Sequence, residues 1–210
     1  MPLYKTITID ETSCLRLWRV DEDIESLEKG ITFSTYCQER YDGMKSVLHR
    51  KAFLSIRHML KLFGYTDFDL EYDDKGKPHL KDGKYISISH SFHFTAVIVS
   101  DRPVGVDVEK QRGKIKDIAP KFTPLKEYQS LGNGEDLIKK LTIVWGSKES
   151  LYKLFGKQGL LFLHDIYVHD FDFEASTTYA NVTYKGTTKD YMLHFFEIED
   201  FICVYAIKPN

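Results

Sequence analysis

The chain has 210 residues, 42% of them hydrophobic and 14% aromatic, with a net charge of -2. That is enough apolar material to bury the core of one large domain or two small ones, and the near balance of charge excludes an overwhelmingly basic nucleic-acid surface. No apolar run approaches the roughly 20 residues of a membrane span, the first residues lack a secretory pattern, and Cys14, Cys37 and Cys203 are dispersed as reduced thiols are, so a soluble cytoplasmic protein is expected.

In chain order, residues 3–9 and 14–18 alternate as short strands, and residues 21–29 read as an acidic helix stopped by Gly30. Residues 44–63 place Leu48, Ala52, Ile56, Met59, Leu60 and Phe63 at helical spacing, which predicts a long amphipathic helix ended by Gly64. Arg50, Arg57 and Lys61 fall on a different stripe of that helix. A solvated basic face explains such a stripe, and so does a clamp for phosphate, whose oxygens match guanidinium forks.

Next come a strand at 67–72, a turn at Asp73-Asp74-Lys75-Gly76-Lys77-Pro78, and a hairpin of strands at 85–89 and 94–100. The first hairpin strand ends in Ser89-His90-Ser91, where a histidine between two serines can donate hydrogen bonds to an anion. His90 and His93 are three apart, but further ligands are not nearby, which argues against zinc.

Gly105-Val106-Asp107-Val108-Glu109 then alternates as a strand, which puts Asp107 and Glu109 on one face. Short helices are expected at 115–122 and 124–131, a break at Asn133-Gly134, and a helix at 136–155 that carries Trp145-Gly146-Ser147-Lys148-Glu149-Ser150-Leu151-Tyr152-Lys153. Glu149 and Lys153 sit one turn apart on the same helix face. If Glu149 folds beside Asp107 and Glu109, three carboxylates converge, and they repel unless a hard cation holds them. The pattern therefore reads as a magnesium site with a lysine beside it.

Strands follow at 165–173, 179–184, 191–198 and 201–207. The two parts of the chain echo one another. Each has a long helix ended by a glycine, Gly64 or Gly156, then Asp-Phe-Asp, then a terminal strand pair. The expectation is an α+β fold of two halves, residues 1–103 and 104–210, with a site in the cleft between them.

The order Gly76-Lys77-Pro78, Ile88-Ser89-His90-Ser91, Gly105-Val106-Asp107-Val108-Glu109 and Trp145-x-x-Lys148-Glu149-Ser150-x-x-Lys153 resembles the 4'-phosphopantetheinyl transferases of the Sfp type. The resemblance implies a pseudo-dimer of two similar α+β halves that transfers the phosphopantetheine arm of coenzyme A to a serine of an apo acyl or peptidyl carrier protein, releasing 3',5'-adenosine diphosphate. It makes Asp107, Glu109 and Glu149 the Mg2+ ligands, Glu149 also the base for the carrier serine, and Lys153 the contact to the pyrophosphate. Ser89 and His90 would bind phosphate oxygens, Lys77 and Pro78 would border the adenine, and Arg50 and Arg57 would meet the 3'-phosphate. Trp145 is expected to pack, and Lys148 to face solvent, the ligand or an acidic carrier. The loop Gly156-Lys157-Gln158-Gly159-Leu160 is one residue longer than the commoner family pattern.

Two other readings compete. One is a magnesium-dependent nuclease, which lacks a basic stripe interleaved with aromatics. The other is a non-catalytic binder of coenzyme A or carrier protein, which would be expected to lose one of the three acids. The expectation is a monomer, because both halves lie in one chain, with no nucleic acid or membrane partner. The lysines between 110 and 126, with Lys139 and Lys140, are expected to meet the acidic surface of a carrier.

Overall fold

A computed structural model describes residues 3–131, 134, 136–156 and 159–208, and divides the chain into two compact units, 1–102 and 103–210. Both are built as α+β.

The first unit opens with β1 (Leu3–Asp10) and β2 (Ser13–Arg19), then α1 (Ile24–Glu28), α2 (Thr35–Asp42) and α3 (Val47–Leu62). A short ribbon of β3 (Leu70–Tyr72) and β4 (Pro78–Leu80) precedes β5 (Tyr85–Ser91) and β6 (Phe94–Ser100). The four long strands form an antiparallel sheet in the order β1-β2-β6-β5. Helix α3 starts at Ser46, whose hydroxyl accepts from the His49 amide, and is followed by Gly64 at a φ of 86°, where a side chain would be strained. Its apolar stripe, Met59, Leu60 and Ile56 among it, is buried with Trp18, Val97 and Ile86 of the sheet. Each fully buried side chain of that size contributes about 1.5–3 kcal/mol. Ser55 of α3 is buried too, and its hydroxyl meets the Thr95 hydroxyl at 2.9 Å, so the helix carries no orphaned polar group there.

Two local readings change. Helix α2 was not visible as a periodic pattern, since only Cys37 and Tyr41 of its eight residues are buried. The expected strand at 67–72 begins instead as a 3-10 turn, Asp67–Asp69, in which the Asp69 carboxylate accepts from the Thr66 amide and hydroxyl. Side-chain hydrogen bonding to the backbone diverts these aspartates from a strand.

The second unit runs β7 (Val104–Lys110), α4 (Ile115–Ile118), α5 (Leu125–Ser130), α6 (Leu137–Phe155), β8 (Ile166–Val168), β9 (Thr177–Tyr184), β10 (Thr187–Ile198) and β11 (Phe201–Ile207). Its antiparallel sheet has the order β7-β11-β10-β9-β8, and α6 lies over β7 and β11. Leu141, Val144, Leu151 and Leu154 of α6 share a core with Val204, Ala206, Leu193 and Val182. Gly156 ends α6 in the left-handed conformation at a φ of 57°, its amide donating to the Tyr152 carbonyl at 2.9 Å. Lys157, Gln158 and Asn133 lie outside the described residues, and with them the expected loop lengthening and part of the expected break. In each unit the last strand returns to pair with the strand that precedes the helices, β6 with β2 and β11 with β7. Among the described residues no helix is long and apolar enough to cross a membrane.

Candidate active site

Strand β7 carries the two carboxylates, and its register against β11 sets Asp107 opposite Val204 and Glu109 opposite Ile202. The face that bears Asp107 is the face on which α6 lies, and two glycines permit the approach. A methyl group on Gly105 would stand 1.8 Å from the Ser150 carbonyl oxygen, and one on Gly146 would stand 2.8 Å from Val204 Cγ2 and 3.6 Å from Asp107 Oδ2. Helix and strand are thus in backbone contact at Gly105, while at Gly146 the helix backbone lies against the Val204 and Asp107 side chains. The Ser150 hydroxyl donates to the Val204 carbonyl at 3.0 Å, fixing the rotation of α6 on the sheet.

That rotation brings the helix residues to the strand carboxylates. Lys153 Nζ donates to Asp107 Oδ1 at 2.8 Å and to the Val106 carbonyl at 3.0 Å. The Asp107 side chain is only 5% exposed against 26% for Lys153, so the ion pair is sheltered on its acidic side. Glu149, one turn back on α6, is half-buried. Burial pushes its carboxyl up, the Asp107 charge pushes further, Lys153 pulls it back, and Glu109 adds a smaller push, to about 7. Glu149 therefore feels both strand carboxylates and the lysine. All three acids offer hard oxygen donors of the kind that suits a magnesium-type cation. Among the described residues, however, no three Asp, Glu, His or Cys side chains stand as an assembled metal cluster, and the Asp107 oxygen is engaged by an ammonium.

Lys148 corrects an expectation. It is fully buried, and its Nζ donates to the Phe122 carbonyl at 2.6 Å, the Ile166 carbonyl at 2.8 Å, Glu127 Oε2 at 2.9 Å and the Phe162 carbonyl at 3.1 Å. It cannot reach solvent, a ligand or a partner. Burial pushes the Lys148 ammonium down and the Glu127 carboxyl up, each opposed by the charge of the other. Trp145 packs against Phe122 and Phe162, with ring centroids at 5.0 and 5.5 Å.

In the first unit, Ser89 is buried and His90 is exposed at the end of β5. The His90 ring stands 5.6 Å from that of His49 on the first turn of α3. Nothing in the sequence singles out His49, because 41 positions separate the two and only the packing of α3 on the sheet joins them. Lys77 and Pro78 are half-buried at the start of β4, the Lys77 amide donating to Asp73 Oδ1 at 2.9 Å. Burial lowers the Lys77 ammonium below its usual range, with Asp73 opposing.

The basic stripe of α3 does not hold together. Arg57, expected to meet a phosphate, is 2% exposed and spent inside the unit. Its Nε donates to Asp67 Oδ1 at 2.8 Å, Nη1 to the Phe53 carbonyl at 3.2 Å and Nη2 to Cys37 Sγ at 3.0 Å, and its guanidinium lies 3.4 Å from the Phe53 ring centroid. Seven residues is two turns less about 20°, enough to carry Arg57 over the edge of the apolar face. Lys61 donates to the Gly30 carbonyl. Lys61 is exposed, and Arg50 is 34% exposed, over the Tyr41 ring and 3.9 Å from Glu28.

Of the lysines expected to meet a carrier, Lys114, Lys116, Lys121 and Lys126 are exposed. Lys110 pairs with Asp200 at 2.9 Å, Lys139 pairs with Glu197 at 2.8 Å, and Lys140 donates to the Leu131 carbonyl at 3.3 Å.

An α+β unit that sets two strand carboxylates under a helical glutamate and lysine is the class of protein this geometry defines. Residues 103–206, nearly all of the second unit, match the 4'-phosphopantetheinyl transferase superfamily. It is 27% identical over 145 residues to the 4'-phosphopantetheinyl transferase psf-1 of Bacillus pumilus, a stretch of 65% of this chain and 62% of that protein. It is 31% identical over 86 residues to a 4'-phosphopantetheinyl transferase of Bacillus subtilis, covering 39% and 38% of the two chains. With enterobactin synthase component D of Salmonella typhi it shares 34% identity over 85 residues, 39% of this chain and 36% of that one. The chain thus spans less than two thirds of the length of these relatives, from 62% down to 36%.

Proposed function

We propose that the protein transfers the 4'-phosphopantetheine arm of coenzyme A to a serine of an apo carrier protein and releases 3',5'-adenosine diphosphate, in a magnesium-dependent reaction. The observation that carries this reading is the Lys153 ammonium 2.8 Å from Asp107 with Glu149 one helical turn away, inside the unit that matches the family. Asp107, Glu109 and Glu149 would hold Mg2+, which neutralises charge on the leaving pyrophosphate oxygen when bound. Lys153 contacts the same pyrophosphate and stabilises the leaving group as the phosphorus–oxygen bond breaks. Glu149 takes the proton of the carrier serine, directly or through water, while the serine oxygen bonds to phosphorus.

The residues assigned to coenzyme A lie in the first unit. Ser89 and His90 bind phosphate oxygens, Lys77 and Pro78 border the adenine, and Arg50 meets the 3'-phosphate. Arg57 is withdrawn from this set, because its guanidinium has no exposed face. The carrier is docked by the exposed lysines 114, 116, 121 and 126 through charge complementarity.

The test is the intact mass of an apo carrier protein after incubation with this protein, coenzyme A and magnesium, alongside Asp107→Ala. A gain of the phosphopantetheine mass that needs Asp107 supports the reading. No gain with several carriers despite coenzyme A binding favours a non-catalytic binder, and no binding at all removes it.

A further inference from the structure

The ammonium of Lys153 holds an oxygen that the proposed metal also needs. Its Nζ is bracketed by Asp107 Oδ1 at 2.8 Å and the Val106 carbonyl at 3.0 Å, on adjacent residues of β7. The other Asp107 oxygen, Oδ2, is buried where α6 closes over it at Gly146, 3.6 Å from the position a methyl group there would take. A lysine and a divalent cation on one buried carboxylate repel each other strongly where water is scarce. Lys153, in contrast, reaches this carboxylate from the partly exposed side. It is 26% exposed, and it hangs from a helix on a flexible four-carbon stem.

We infer that Lys153 is the resident counter-ion of Asp107, and that it must swing off this carboxylate before a divalent cation can take the oxygen. The inference rests on the function proposed above. The pyrophosphate of coenzyme A supplies the ammonium with a second anionic berth, so that arrival of the nucleotide moves Lys153 and opens Asp107 to the metal. Lys153 then has two successive tasks: it neutralises the acidic site while no metal is bound, and it meets the pyrophosphate afterwards. A lysine that only contacted substrate would leave metal affinity in the absence of coenzyme A unchanged when removed.

The test reads metal binding rather than turnover. Free Mn2+ is followed by electron paramagnetic resonance as it is titrated into the whole protein and its Lys153→Met, Lys153→Gln and Lys153→Arg variants, with and without coenzyme A. Without coenzyme A, the two uncharged variants are expected to bind Mn2+ roughly tenfold more tightly than the parent, well inside the usual range of coupling between sites. Lys153→Arg, which keeps the charge on Asp107, is expected to stay within about twofold of the parent. Two uncharged replacements are used so that the poor folding of either leaves the other to decide. Uncharged variants that bind Mn2+ no more tightly than the parent, while the parent binds it with coenzyme A and modifies a carrier, overturn this inference alone. If neither parent nor variants bind Mn2+ even with coenzyme A, the inference falls together with the metal reading beneath it.

Discussion

Gly105 and Ser150 meet at the point where the helix of the site touches its strand, with the Gly105 α-carbon so close to the Ser150 carbonyl that a methyl group would stand 1.8 Å from that oxygen. The contact is backbone against backbone, so no side-chain rotation relieves it. It sets the distance from α6 to β7, and through that distance it brings Lys153 to Asp107.

Gly105→Ala is therefore expected to destabilise the second unit by more than the ~1–3 kcal/mol typical of overpacking, or to displace α6. Gly113→Ala, with nothing within 4 Å of the new methyl, is expected to stay within about 0.5 kcal/mol of the parent. Urea unfolding of the two variants checks this, and equal stabilities would refute the close contact.

Lys148 and Glu127 form a fully buried pair, and removing one partner strands the other charge. Lys148→Met is expected to cost about 3–5 kcal/mol, and Lys148→Met with Glu127→Leu to recover most of the loss. The readout is a double-mutant cycle by chemical denaturation. A double variant no better than the single would mean that the three carbonyls tied by Lys148, and not the charge pair, dominate.

Arg57 and Arg50 are expected to separate cleanly. Arg57→Ala should lower stability by roughly 3–5 kcal/mol, because it leaves Asp67 buried and unpaired. Arg50→Ala should leave stability nearly unchanged and raise the KM for coenzyme A. If Arg50→Ala leaves that KM where it was, Arg50 has no part in the nucleotide site.

The same buried pair gives the first unit an acid limb. Burial pushes the Asp67 carboxyl up, but the Ser34 amide, the Arg57 charge and the Ser34 hydroxyl outweigh it and hold the pKa below the ordinary 3.8. The folded value is the lower one, so the stabilisation is present above 3.8 and is lost as pH falls through the folded value. Stability should drop as pH falls below the ordinary 3.8, and Asp67→Asn should flatten that slope while lowering stability at neutral pH. Melting temperatures measured across this fall in pH decide it.

Reversal of charge at Lys114, Lys116, Lys121 and Lys126 together is expected to raise the KM for carrier protein at least about tenfold at low salt, with little change in kcat. The same reversal at Lys139 should act on stability instead, because that lysine already pairs with Glu197. An unchanged KM in the fourfold variant would remove the docking surface.

The local placement of the candidate site's side chains is legible in the sequence alone. Alternation put Asp107 and Glu109 on one face of a strand, and helical spacing put Glu149 and Lys153 one turn apart, because period 2 and period 3.6 are properties of the backbone alone. The strand order, the packing of α6 on β7 and the fates of the lysines were tertiary decisions. Arg57 reads the same as Arg50 in a helical pattern, yet one lies over the edge of the core beside Asp67 and the other over Tyr41 at the surface. Lys148 and Lys153 sit on one short motif, yet one is sealed among carbonyls and the other reaches Asp107. Local spacing determines which side chains share a face of their own element. What that face meets depends on segments far away in sequence, and only folding brings them there.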